Sequence, residues 1–136
     1  MQSKFKALIL IASAMGTLAV IFGAFGSHYL AERLPAKSLS AYKTGVEYQF
    51  YHTLSLFSTA LLYRIYRIKG LFYVGLYFLI GTIMFSGSLY LLSLQQLWGG
   101  GLPKIFGLLT PIGGLGLIGA WAAIFFTVLK IPTQGN

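Results

Sequence analysis

The side chains of this sequence that could do acid–base or metal chemistry lie within one short part of it. The two acidic residues and two histidines of the chain are His28, Glu32, Glu47 and His52. Imidazole and carboxylate groups bind zinc and iron, and a carboxyl group held away from water can exchange a proton. No HExxH or similar spacing accompanies them, so these residues are weak candidates for a metal site. No pattern indicates a cofactor or a catalytic residue.

The elements that must position these residues are apolar. Of the 136 residues, 57 % are hydrophobic and 9 % are charged, whereas soluble domains contain about 25 % charged residues. Four apolar stretches, approximately 7–31, 45–63, 71–97 and 105–129, approach the roughly 20 residues that a helix needs to cross a bilayer. The first is longer than the apolar core of a cleaved signal, which has about 7 to 15 residues. We therefore predict an all-α fold, an integral membrane four-helix bundle, with residues 1–136 as a single four-span transmembrane domain.

The positive charge of the chain lies next to the ends of these stretches. The formal net charge is +8, but the cations stand singly or in short groups, as is typical of membrane flanks. We therefore expect the lipid bilayer as a partner and no nucleic acid. One side of the predicted topology carries Lys4, Lys6, Arg64, Arg67, Lys69 and Lys130, and the other carries Arg33, Lys37, Lys43 and Lys104. This excess predicts that both termini are cytoplasmic.

Small residues form one face of the first helix and one face of the fourth. At 100° per residue these faces contain Gly16, Gly23 and Ser27 in the first helix, and Gly113, Gly116 and Ala120 in the fourth. Helices in lipid associate through close approach of such small residues. We predict that the bundle packs through these two faces, as a helix pair or as the seam of a homo-oligomer. The segment GLGLIG at 114–119 matches a dinucleotide fingerprint only formally, because no acidic residue follows it.

The second helix has one polar side. An arc of about 140° contains Glu47, Tyr48, Tyr51 and His52, and the opposite arc is apolar. Because an unpaired polar group facing lipid costs several kcal/mol, we expect Glu47 and His52 to point inward near one membrane surface. A weaker stripe of hydroxyls on the third helix is positioned to meet this arc, unless these hydroxyls bond to their own helix.

Four sequence blocks, spread in order over most of the chain, resemble a known family. They are GAFGSHYL at 23–30, EYQFYHTL at 47–54, FSGSLYLL at 85–92 and TPIGG at 110–114. The sequence is similar to the transmembrane protein 256 family, also called domain of unknown function 423, which includes small bacterial inner-membrane proteins. The resemblance implies a compact four-span helical protein and no particular activity. The matching positions are His28, Gln49, His52, Ser86, Gly87, Ser88, Tyr90, Thr110 and Pro111.

Four explanations of the Glu and His residues remain open. They could hold the first connection together, with Glu32 paired to Arg33, Lys37 or Lys43; bind a lipid or isoprenoid headgroup; carry protons or a small cation; or form a metal or hydrolase site. We predict a multi-pass protein of the bacterial inner membrane that is non-enzymatic and binds a lipid-like ligand or a partner at the external end of helices one and two. The alternative is a subunit of a small proton- or cation-coupled transporter. The candidate ligand residues are His28, Glu47, Tyr48, Gln49, Tyr51, His52, Ser86, Ser88, Tyr90 and Thr110.

Overall fold

A computed structural model describes residues 1–131 as a bundle of helices. The helices are α1 (Gln2–Phe25), α2 (Ala36–Tyr66), α3 (Lys69–Leu94) and α4 (Ile105–Leu129). A π-helical turn, Gly26–Leu30, continues α1, and a 3₁₀ turn, Gln95–Trp98, continues α3. No strand is present between residues 1 and 131, so the predicted all-α fold is confirmed. Three segments are long and apolar enough to cross a membrane: Gln2–Leu30, Gly70–Trp98 and Ile105–Leu129.

The connections between helices follow local backbone chemistry. Pro35 precedes α2 with φ −55° and ψ 148°, which suits proline because it fixes φ and needs no amide partner at a helix start. Arg67 ends α2 with φ 56°, and its backbone N–H donates to the carbonyl of Tyr63 at 3.1 Å. The α3–α4 connection includes three successive glycines, 99–101, all with positive φ. Glycine is favoured there because this region is strained for L side chains.

The helices pack as antiparallel neighbours in chain order. α2 lies between α1 and α3, and α3 lies between α2 and α4. At Gly75 of α3, the side chains of Leu8 from α1 and Leu56 from α2 meet. One core cluster surrounds this contact. It consists of Leu8, Ala12, Met15, Leu56, Ala60, Val74, Phe78, Leu117 and Ala120. A second cluster consists of Leu30, Leu34 and Tyr42. We call the end that contains this second cluster and residues 31–35 the connection end, and the opposite end, where α1 begins and α4 ends, the terminal end.

The small faces of α1 and α4 do not pack against each other. A Cβ atom at Gly16 would lie 3.3 Å from Thr53 Cγ2 of α2, and one at Gly23 would lie 3.4 Å from Val46 Cγ1 of α2. Gly113 of α4 instead meets the backbone of α3, and Gly116 lies on the same side. Ala120 is buried in the core, whereas Ser27 is exposed. The predicted α1–α4 helix pair is therefore wrong, because α2 and α3 separate these helices.

Candidate functional site

The predicted ligand residues are spread over several places in the bundle and do not form one cluster. Glu47 borders a groove between α1 and α2, and Tyr48, Tyr51 and His52 lie on another side of α2. His28 is exposed on the π-helical turn. The other candidates lie at contacts between helices, although the hydroxyl of Ser86 has no hydrogen-bond partner among residues 1–131.

Glu47 and His52 face different surroundings. His52 is only 6 % exposed, whereas Glu47 is exposed. Five residues at 100° each place the two side chains about 140° apart around the helix, so they stand at opposite edges of the polar arc. The prediction that both point inward is therefore wrong for Glu47.

Gln49 links three helices through hydrogen bonds in the core. Its Nε2 donates to the carbonyl oxygen of Met15 in α1 at 2.8 Å. Its Oε1 accepts from the hydroxyl of Tyr90 in α3, also at 2.8 Å. An amide in apolar surroundings is costly unless it is paired. Gln49 and Tyr90 therefore satisfy each other's polar atoms and set the register of α1, α2 and α3.

Tyr42 extends this contact toward the connection end. Its hydroxyl donates to the carbonyl oxygen of Phe22 at 3.0 Å, and its ring centroid lies 5.0 Å from that of Tyr90. Two glycines make room for these rings. A Cβ atom at Gly26 would lie 2.7 Å from Tyr42 Cε1, and one at Gly45 would lie 2.9 Å from Tyr90 Cε1.

Sequence reasoning missed Tyr42 as part of this polar centre. The predicted second span began at residue 45, so Tyr42 lay outside it and was not considered as a residue of the bundle core. The available signal was the neighbouring Gly45, a residue without a side chain inside a helix, which often marks close approach by another group.

Ser88 and Thr110 join α3 to α4. Their hydroxyl oxygens are 2.6 Å apart, and the Ser88 hydroxyl is also 2.9 Å from the carbonyl oxygen of Phe85. If Ser88 gives its single proton to that carbonyl, Thr110 must donate to Ser88. Nearby, a Cβ atom at Gly113 would lie 2.5 Å from the backbone nitrogen of Phe85. These residues therefore lie where the two helices approach closely.

The His52 ring is held by its own helix and by aromatic neighbours. Its Nδ1 lies 2.7 Å from the carbonyl oxygen of Tyr48. A carbonyl only accepts, so Nδ1 carries the proton, and in the neutral ring Nε2 keeps its lone pair. The ring centroid lies 5.9 Å from that of Phe78, while the Tyr48 ring stacks on Phe85 at 4.6 Å.

Several buried hydroxyls of α2 and one of α3 bond to their own helix. In α2, Thr53, Ser55 and Thr59 each donate to the carbonyl four residues earlier, as Thr82 does in α3. These bonds remove the cost of burying a hydroxyl without any ligand. Within the described part of the chain, Ser86 and Ser93 are buried without a hydrogen-bond partner.

A groove between α1 and α2 opens at the connection end. Its volume is about 290 Å³, and its lining consists of Gly23, Gly26, Ser27, Tyr42, Lys43, Val46 and Glu47. Lys43 and Glu47 are one helical turn apart, yet no ion pair joins an acidic to a basic side chain among residues 1–131. The pairing predicted for Glu32 with Arg33, Lys37 or Lys43 is therefore not seen. The groove offers one cation, one anion and the Ser27 hydroxyl to a ligand.

The weak metal candidates do not converge. In residues 1–131 no group of three or more His, Asp or Glu side chains is close enough to hold a metal ion. His28, Glu32 and Glu47 are exposed and His52 is buried. The arrangement thus gives a metal no complete set of ligands from these four residues.

Comparison with known proteins identifies the family. The family described as "Protein of unknown function (DUF423)" matches residues 22–114. The UPF0382 inner membrane protein YgdD of Escherichia coli (strain K12) is 34 % identical over 135 residues, which cover 99 % of this chain and 97 % of the relative. The UPF0382 membrane protein YwdK of Bacillus subtilis (strain 168) is 37 % identical over 126 residues, which cover 92 % and 98 % of the two chains. No solved structure matches significantly. The resemblance seen in the sequence is confirmed, and the chain belongs to the DUF423 family of helical membrane proteins.

Proposed function

We propose that this protein is a non-enzymatic binding protein of the bacterial inner membrane, and that the groove between α1 and α2 binds the polar headgroup of a lipid or isoprenoid. The observation that carries the proposal is the pair Lys43 and Glu47, which border one groove and form no ion pair with each other. An ammonium group binds a phosphate, and a carboxylate accepts from an amine or hydroxyl. A headgroup that bears both a phosphate and such a donor fits this lining.

The groove's shape supports a headgroup at the membrane surface. Gly23 lines it from α1 and Gly26 from the π-helical turn, and the side chains of Val46 and Tyr42 pack beside these two glycines. Tyr42 and Val46 form an apolar wall on α2. Mixed linings of this kind, with few polar groups among apolar ones, are typical of ligand sites.

The proposal includes a fourth membrane span formed by α2. Its 31 residues correspond to about 46 Å at 1.5 Å per residue, more than the hydrocarbon core of about 30 Å. Its antiparallel packing along α1 and α3, both apolar enough to span, supports the same conclusion. The larger number of cations at the terminal end favours cytoplasmic termini, which puts the groove at the external surface.

The test compares lipid retention by matched acid variants. Native mass spectrometry of the full chain, extracted with its own lipids, would be recorded for the natural protein, Glu47→Gln and Glu32→Gln. Both acids are exposed near the connection end, but only Glu47 borders the groove. We expect a bound lipid mass in the natural protein and in Glu32→Gln, and its loss in Glu47→Gln.

Two results would contradict this proposal. Equal retention of lipid by all three proteins would show that Glu47 does not contribute to lipid binding. Proton uptake into vesicles that depends on Glu47, without any bound lipid, would favour the transporter alternative instead.

A further inference from the structure

A second groove lies at the terminal end, away from the one already described. It has a volume of about 580 Å³ and lies between the start of α1 and the end of α2. Its lining consists of Gln2, Ser3, Phe5, Lys6, Ile9, Leu10 and Arg64. We propose that this groove binds the phosphate of an anionic phospholipid in the leaflet on the side of the two termini.

Two cations from distant parts of the sequence meet here. Antiparallel packing of α1 on α2 brings Arg64 to the same groove as Lys6, and both residues are exposed. Lys4 is engaged differently, since its ammonium nitrogen lies 4.7 Å from the centroid of the Phe72 ring. Arg64 offers a planar fork of donors and Lys6 a compact charge, and both groups bind phosphate well.

No acidic side chain lies near the positive charge of this groove. The chain has two acidic residues, Glu32 and Glu47. Glu32 follows the π-helical turn that ends α1, and Glu47 borders the groove at the connection end. Neither belongs to the terminal end. Charge complementarity therefore selects an anion for Lys6 and Arg64, and basic pockets beside spanning helices bind anionic headgroups.

The order of residues along α1 distinguishes a lipid from a free anion. Gln2 and Ser3 lie at the outer end of the groove, whereas Ile9 and Leu10 lie deeper. From Ser3 to Leu10 the helix rises about 10 Å. Leu10 is 59 % exposed on the protein surface, so an acyl chain would pack beside it while the phosphate stays near Lys6. A soluble phosphate would make no use of this apolar wall.

The experiment measures lipid binding by the full chain in detergent with native mass spectrometry. Phosphatidylglycerol and phosphatidylcholine would be titrated separately onto the natural protein, Lys6→Gln, Arg64→Gln and the double variant. Lys37→Gln is the matched control, because Lys37 is an exposed cation at the connection end. Circular dichroism checks that each variant keeps its helices.

We expect the double variant to bind phosphatidylglycerol at least about tenfold more weakly, because charged hydrogen bonds to the phosphate are lost. Phosphatidylcholine binding and the Lys37→Gln control should not change. Equal phosphatidylglycerol binding by the natural protein and the folded double variant would overturn the proposal. So would displacement of the lipid by millimolar inorganic phosphate, which would indicate a site for a soluble anion. Because the two grooves lie at opposite ends, Glu47→Gln should leave this binding unchanged even if the other proposal fails.

Discussion

At the scale of single residues, a few polar side chains of the core join helices, whereas several others bond within their own helix. Gln49 bonds to α1 and α3 at once, and Tyr42 bonds to α1. Hydrogen bonds between helices in a membrane protein contribute modestly each, but an unpaired partner left behind is costly. Gln49 and Tyr90 were both predicted as ligand residues. Both side chains already have hydrogen-bond partners inside the bundle, and their role as ligand residues stays a prediction.

Replacing Gln49 should destabilise the protein measurably. Gln49→Ala leaves the Tyr90 hydroxyl without its partner, and we expect a loss of about 1–3 kcal/mol. Gln96→Ala is the control, because Gln96 is exposed in the 3₁₀ turn. Reversible unfolding in detergent would measure both. A double variant with Tyr90→Phe should lose less than the sum of the single losses, and strict additivity would show that the pair is not coupled.

At the scale of helices, glycine positions decide which faces can touch. Gly113 lets α4 approach the backbone of α3, and Gly81 of α3 makes room for Leu117 of α4. Gly26 and Gly45 accept aromatic rings instead. Small residues thus mark three separate interfaces, although sequence reasoning had joined those of α1 and α4 into one.

The α3–α4 interface allows a sharp comparison of two glycines in the same helix. In Gly113→Ala the new methyl group would meet backbone atoms of α3, including the Gly81 carbonyl oxygen at 2.9 Å, which cannot move aside easily. We expect a loss of about 1–3 kcal/mol from overpacking. Gly119→Ala should cost little, because nothing lies within 4 Å of a Cβ atom there. Similar melting temperatures for the two variants would contradict this account of the interface.

The sequence alone predicted the positions of the helices more accurately than the contacts between them. The fourth apolar stretch, 105–129, coincides with Ile105–Leu129, because hydropathy and helix end together there. The second apolar stretch, 45–63, is shorter than Ala36–Tyr66, because a helix can begin with polar turns that an apolar composition does not reveal. The bond between Gln49 and Tyr90 depends on the relative register of three helices, which no periodicity within one helix contains.

At the scale of the whole molecule, charge divides the bundle into two unlike ends. The connection end has both acidic residues and the groove with Lys43 and Glu47. The terminal end has a groove with two cations and no acidic side chain. Cations near spanning helices favour the cytoplasmic side. We therefore expect this asymmetry to orient the chain, with a different groove at each membrane surface.

Orientation can be measured directly because the chain contains no cysteine. Ser3→Cys and Ser40→Cys introduce single thiols at exposed positions at the terminal and connection ends. In intact cells, an impermeant maleimide should label Ser40→Cys and leave Ser3→Cys unlabelled until the inner membrane is opened. The reverse pattern would invert the topology, and labelling of both in intact cells would contradict a spanning α1, which is the helix between the two positions.

The π-helical turn at Gly26–Leu30 also limits how this chain can change length during evolution. A π turn contains one more residue than an α turn, while the side chains before and after it keep the same directions. Loss of one residue inside this turn would convert it to an α turn and leave Leu34 directed at the same neighbours. Loss of one residue elsewhere in α1 would rotate everything after it by about 100°. We therefore expect a one-residue deletion within Gly26–Leu30 to keep the core contacts of Leu34, and one within Gln2–Phe25 to lose them.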